Sequence, residues 1–199
     1  MKLILASNNK NKLRELRELL EDMDIDVVSQ REAGCDFEVE ETGTTFAENA
    51  YLKAKAVFDA LGEATVADDS GLMVEALGGE PGVYSARYAP GGHDASDREK
   101  YEYLLGKMQG VENRRAKFVS SICCMLPDGD IIRTEGECHG DILTVPETGG
   151  GFGYDPVFRP DGYDKSMAAL GESVKNQISH RARALAKLKT ELMKKYADK

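Results

Sequence analysis

Two short stretches hold the residue types best suited to chemistry. Ser7-Asn8-Asn9-Lys10-Asn11-Lys12 follows a brief apolar run and precedes leucines at helical spacing, so it reads as a turn from strand into helix. Such a turn exposes unpaired backbone N–H groups at the positive end of the helix, a favourable place for phosphate. Ser7, Asn8 and Asn9 add side-chain donors and Lys12 a point charge, although a plain polar helix cap with solvated lysines would use the same residues. Further along, Ala67-Asp68-Asp69-Ser70-Gly71 places two adjacent carboxylates directly after a short apolar strand. Adjacent carboxylates repel and are costly beside a core unless a cation offsets them. Hard oxygen donors suit Mg²⁺, and a carboxylate not saturated by metal could orient or deprotonate a water. The competing reading is a solvated Asp-Asp-Ser-Gly turn. Taken together, the two stretches suggest phosphate chemistry.

Other candidates depend on context. Glu38, Glu40 and Glu41 form an acidic run that a solvated face would also explain, and Lys53 follows on a helix that could simply display it. Gly149-Gly150-Gly151-Phe152-Gly153-Tyr154-Asp155-Pro156 is too rich in glycine for regular structure and predicts a loop whose backbone approaches something closely. Phe152, Tyr154 and Asp155 could stack on and hydrogen-bond a planar base. Ser179-His180-Arg181 concentrates donors on the last helix, whereas His93 and His139 sit in loops without metal-ligand partners.

The elements that must position these groups follow from periodicity and breakers. Strands are expected over 2–6, 25–29 and 64–67, with Asp68 to Gly71 at the end of the third. Helices are expected over 12–20, 46–61 and 97–108. The second carries a capping box from Thr44 or Thr45 to Glu48 and stops at Gly62, and the third is capped by Ser96 or Asp94. Glycines and prolines from Gly78 to Gly92 mark shaped loops around Tyr84 to Tyr88. Residues 117–126 and 131–137 read as a hairpin turning at Pro127-Asp128-Gly129, and 173–196 as one terminal helix. The alternation is that of an α/β chain, read as one continuous fold over 1–199.

Bulk properties narrow the class. With 199 residues and 41% hydrophobic composition the chain can bury a real core. A net charge of −9 opposes a nucleic acid polymer, whose non-specific binding rests on Lys and Arg, but leaves room for a small phosphate ligand. No stretch approaches the length needed to span a membrane, and the apolar opening is too short for a secretory signal. Cys35, Cys123, Cys124 and Cys138 lack metal-ligand spacing and fit reduced thiols in a cytoplasmic protein.

Six segments, in order along the whole chain, resemble the inosine triphosphatase-like family of purine nucleoside triphosphate pyrophosphatases, also called XTP/dITP diphosphatases. They are Ser7-Asn8-Asn9-x-x-Lys12, Glu41-Thr42-Gly43 leading to Phe46-x-Glu48-Asn49-Ala50-x-x-Lys53-Ala54, Ala67-Asp68-Asp69-Ser70-Gly71-Leu72, Gly82-Val83-Tyr84-Ser85-Ala86-Arg87-Tyr88, Gly151-Phe152-Gly153-Tyr154-Asp155-Pro156, and Ser179-His180-Arg181. The resemblance implies an elongated, two-lobed α/β fold with a long central mixed sheet flanked by helices, an active-site cleft between the lobes, and a homodimer. It implies Mg²⁺-dependent cleavage of ITP, dITP and XTP, with Mn²⁺ as a substitute metal. Asp69 would be the metal-associated general base, Asp68 its acidic neighbour, and Glu41, or adjacent Glu40, a second metal ligand. Ser7, Asn8, Asn9, Lys10, Asn11, Lys12, Lys53 and Ser70 would hold the triphosphate. Phe152, Gly153, Tyr154, Asp155, Lys175, His180 and Arg181 would hold the base and sugar. The family most often has Thr-Gly-Asn where this chain has Ser7-Asn8-Asn9, which bears on the backbone geometry of that turn.

Overall fold

The apolar opening run forms strand β1 (Lys2–Leu5), and its lack of alternation follows from what covers its two faces. In the computed structural model, which describes residues 1–196, Leu3 and Leu5 enter one core while Ile4 and Ala6 enter another. The first core is closed by Leu16 of α1 (Lys10–Leu19) and by Leu185, Leu188 and Leu192 of α6 (His180–Tyr196). Ala50, Ala54 and Val57 of α2 (Phe46–Leu61) close the second. Each large aliphatic side chain buried this way contributes about 1.5–3 kcal/mol. Val66 and Ala67 of β3 (Thr65–Val74), and Cys124 and Cys123 of β4 (Arg115–Met125), divide between the same two cores by strand alternation. All four cysteines are buried free thiols, and burial pushes the Cys124 thiol up to about 12.

The sheet has six strands in the order β2-β1-β3-β4-β5-β6, with β2 at Asp26–Ser29, β5 at Ile131–Ile142 and β6 at Phe158–Pro160. β1 runs parallel to β2, with Leu3 opposite Val27, and parallel to β3, with Leu5 opposite Val66. β5 and β6 are antiparallel, so the sheet is mixed. The β4–β5 turn is closed by Gly129 N donating to Leu126 O and Leu126 N donating to Asp130 O. By contacts the chain divides into two compact units. One comprises Met1–Asp69, Ser120–Glu135 and the chain from Ala184 onward, and contains both cores described above. The other comprises Ser70–Val119 and Gly136–Arg183. Its core joins Leu72, Leu104, Met108, Phe118, Val157 and Phe158, with α3 (Asp97–Lys107), α4 (Met167–Leu170) and α5 (Glu172–Ile178) in the same unit.

Local signals explain the helix ends. Thr45 and Glu48 form the expected capping box of α2, Gly62 ends it at φ +66°, and Ser96 with Glu99 makes a second box at α3. Two expectations are corrected. Asp68 to Gly71 do not follow the third strand but lie inside it, because β3 continues to Val74. The terminal helix is two helices, broken at Ser179, whose extended backbone (ψ 155°) ends α5 and starts α6. Ser179 Oγ accepts from Ala182 N at 3.2 Å, the capping role for which serine leaves a helix interior. The break also separates Ile178, packed on the core of the second unit, from Leu185 and Leu188, packed in the first.

Candidate active site

Strand alternation points Asp68 and Asp69 in different directions from β3, yet their charges still act on one another's lysines. Each meets a lysine from the helix on its own side. Lys12 Nζ, near the start of α1, lies 2.9 Å from Asp68 Oδ1. Lys53 Nζ, from α2, lies 2.9 Å from Asp69 Oδ1 and 2.7 Å from Glu41 Oε1. The carboxylates gathered around one cation are therefore Asp69 and Glu41, residues 28 positions apart in sequence, rather than the adjacent pair. Glu41 is held there by the turn that follows it. Gly43 N donates to the fully buried Asn49 Oδ1 at 2.8 Å, and a Cβ on Gly43 would come within 2.7 Å of that oxygen. Glu40 is exposed, and among the described residues its carboxylate is not part of this network.

In the ion pairs of the described residues, three carboxylates (Glu41, Asp68, Asp69) face two ammonium groups (Lys12, Lys53). The proton affinities reflect both burial and these charges. Burial raises the Asp69 carboxyl above its ordinary range, and Glu41 adds to the rise while Lys53 and Lys12 oppose it. Burial also works against the Lys53 ammonium, but Asp69, Asp68 and Glu41 outweigh it and hold Lys53 above its usual range. An exposed ion pair would lower its carboxylate; here burial, with a smaller contribution from Glu41, outweighs the lysines.

The turn before α1 is organised by its own side chains. Asn9 caps the helix, its Oδ1 accepting from Asn11 N at 2.9 Å and Lys12 N at 3.2 Å. Ser7 Oγ accepts from Asn9 N at 3.1 Å and Asn8 Oδ1 from Arg31 N at 3.3 Å. With those oxygens on backbone donors, the asparagines retain their Nδ2 groups as donors. None of the described non-glycine residues has a positive φ, so Asn8 fits where the related motif carries glycine. Lys10 and Asn11 are exposed on the first turn of α1.

A separate cluster assembles in the second unit. Asp155 is buried, and its Oδ2 accepts from Lys175 Nζ at 2.6 Å and from Phe152 N at 3.0 Å. Gly151 adopts φ +98°, and any Cβ there would lie 2.3 Å from that same Oδ2. Phe152, at 43% exposure, presents its ring with the Lys175 ammonium 4.0 Å and the Arg181 guanidinium 5.9 Å from its centroid. Ser179, His180 and Arg181 are buried rather than displayed on a helix surface. His180 stacks on Phe118, centroids 4.9 Å apart, and Arg181 Nη2 lies 3.4 Å from Oγ of Ser70, the residue after Asp69. Tyr154 is 4% exposed and gives its hydroxyl to Ser85 O at 2.8 Å, so it braces the loop from within.

A sequence model of the Ham1 family matches residues 3–191. The chain belongs to the Ham1 family. It is 46% identical over 195 residues to the dITP/XTP pyrophosphatase of Aquifex aeolicus, covering 94% of this chain and 95% of that protein. It is 45% identical over 187 residues to the dITP/XTP pyrophosphatase of Bacillus subtilis, with 93% of each covered. The Ham1 protein structure from Staphylococcus aureus matches with a TM-score of 0.91 at 42% identity, covering 98% of this chain and all of that one. The Staphylococcus aureus Ham1 protein shares this α/β fold.

Several supports of this candidate site escaped the reading of local sequence. Ser85 accepts from Leu72 N at 2.9 Å and donates to Gly82 O at 2.7 Å, tying β3 to the segment that receives Tyr154. Phe118 underlies His180, Asn49 fixes the turn after Glu41, and Asp97 accepts from Gly153 N at 2.7 Å. Ser85 and Asn49 lie in the quoted motifs, but nothing local signals their distant partners.

Proposed function

We propose that the protein hydrolyses dITP, ITP and XTP to the nucleoside monophosphate and pyrophosphate, removing these nucleotides from the cellular pool. The observation that carries this reading is the Lys53 ammonium shared by Glu41 and Asp69, two carboxylates brought together from separate elements beside the Ser7–Lys12 turn's own lysine pair with Asp68. Buried carboxylates and lysines of this kind recover little beyond their own desolvation, and they fit a polyanion with a divalent counterion.

Glu41 and Asp69 would hold the Mg²⁺. Their donors are hard carboxylate oxygens. That suits Mg²⁺, which commonly takes one or two protein carboxylates and completes its shell with water and substrate phosphate; Mn²⁺ accepts the same donors. When bound, the metal would offset phosphate charge and acidify a coordinated water. Asp69 orients the attacking water toward the α-phosphorus and takes its proton, while Asp68 keeps Lys12 in place. Lys12 and Lys53 stabilise the charge that develops on the pyrophosphate leaving group, with Ser70 and the Ser7–Asn11 turn holding the triphosphate. Little covalent chemistry is asked of the protein, so positioning and electrostatics supply the acceleration.

The Phe152 ring is the stacking platform for the base, flanked by Lys175 and Arg181, with His180 of the same Ser-His-Arg segment as a further donor. Hypoxanthine and xanthine offer a 6-keto acceptor to these donors, whereas adenine offers a 6-amino group that leaves donors facing a donor. Family resemblance supports a homodimer in the cytoplasm. The test is pyrophosphate release from XTP, dITP, ATP and dTTP, with Mg²⁺ and with a chelator. Metal-dependent release with kcat/KM for XTP and dITP at least about 10²-fold above ATP is expected. Equal turnover of ATP, or a preference for dTTP, would contradict the reading.

A further inference from the structure

The glycines on either side of Phe152 are each governed by a carboxylate, and only one of the two carboxylates belongs to the loop. Asp155 Oδ2 occupies the space a Cβ on Gly151 would need and binds Phe152 N. On the other side, Gly153 (φ +63°) donates its N–H to Asp97 Oδ2 at 2.7 Å. Asp97 is the first residue of α3, 56 positions away in sequence. Its place is fixed by the capping box beside it, in which Ser96 Oγ accepts from Glu99 N and the Glu99 carboxylate accepts from Ser96 N. The carboxylate also suits the positive end of the helix, and Lys100 Nζ stands 3.7 Å away. A backbone N–H bound to a carboxylate is a charge-assisted bond, stronger than a neutral one, and here it acts on a glycine with no side chain to restrain it.

We propose that Asp97 is a positioning residue for base recognition, holding Gly153 so that the neighbouring Phe152 ring stays in stacking orientation. This rests on the reading of the Gly151–Asp155 loop as the segment that receives the base. The side chain of Asp97 pairs with Gly153 N and, at 3.7 Å, with Lys100 Nζ. Its side chain is 49% exposed, so replacing it disturbs little packing.

The test compares Asp97→Ala with Asp97→Asn, which keeps an oxygen acceptor for Gly153 N. Alanine raises KM for XTP about tenfold while kcat stays within about twofold of wild type, the pattern of lost binding rather than lost chemistry. Asparagine returns KM to within about threefold. The calorimetric affinity for inorganic pyrophosphate, which engages only the phosphate-binding groups, is unchanged in both. An unmoved KM in Asp97→Ala overturns the proposal, as does an asparagine variant no better than alanine. A parallel loss of pyrophosphate affinity overturns it too, since that marks a general structural defect. A wild-type protein that releases no pyrophosphate from XTP would instead refute the reading of the site beneath it.

Discussion

The Asp69→Asn protein is expected to fold as the wild type does and to lose about 10²- to 10⁴-fold in kcat for XTP, the usual range for removing a general base. Folding survives because Asp69 sits in a cluster where burial and Glu41 already oppose its ionisation. A neutral isostere relieves that repulsion, and Lys53 keeps Glu41 as a partner at 2.7 Å. Turnover fails because the amide neither takes a proton nor supplies an anionic oxygen. Thermal unfolding alongside single-turnover kinetics separates the two effects. Near-normal kcat would remove Asp69 from the base role, and a large fall in Tm would mean the carboxylate is structural.

Lys53→Met is expected to have the largest effect on stability. The Lys53 side chain is 14% exposed and is the cation shared by Asp69 and Glu41. Without it, Asp69 and Glu41 lose the cation they share. Removing one partner of a buried ion pair costs about 3–5 kcal/mol because the other charge stays buried and unmatched. In a chain of this size each kcal/mol moves Tm by about 2–4 °C, so a fall of roughly 10 °C is anticipated. Added MgCl₂ should recover part of that loss, since a cation bound only by the folded state stabilises it by mass action. The same salt should move the wild type less, because its site already holds an ammonium. An unchanged Tm would show that the cluster relaxes into solvent, and a loss that MgCl₂ does not recover would count against Glu41 and Asp69 as a metal pair.

Both variants depend on a geometry that the amino-acid sequence discloses only in part. Strands β1 and β2 and helices α1, α2 and α3 were legible from periodicity and caps, because local chemistry decides them: Thr45 with Glu48, Gly62, and Ser96 with Glu99. The extent of β3 was not legible. Asp68, Asp69, Ser70 and Gly71 have turn-like composition, and they remain in the strand because β3 lies between two strands of the sheet and the aspartates meet Lys12 and Lys53 from opposite sides. Local propensity lost there to partners supplied by distant helices. The break at Ser179 was hidden for a related reason. The residues from 173 to 196 carry a helical pattern throughout, but the apolar residues before and after the break serve different cores, which periodicity alone does not reveal. Among the residues singled out by type, Glu41, Lys53, Asp68, Asp69 and Lys12 come together in one cluster, and Phe152, Asp155, Lys175 and Arg181 in another. Tyr154 joins the second through the backbone of Ser85, with its hydroxyl already engaged. Asp97 carried no sign beyond its place at the start of a helix, since its partner is a backbone N–H far along the chain.

The central claim is that water attacks the α-phosphorus and pyrophosphate leaves intact. Hydrolysis of XTP in oxygen-18 water, followed by mass spectrometry of the products, tests it most directly. The account predicts equal amounts of nucleoside monophosphate and pyrophosphate, with the label entirely in the monophosphate. Label in the pyrophosphate, or a diphosphate with inorganic phosphate as products, would contradict it.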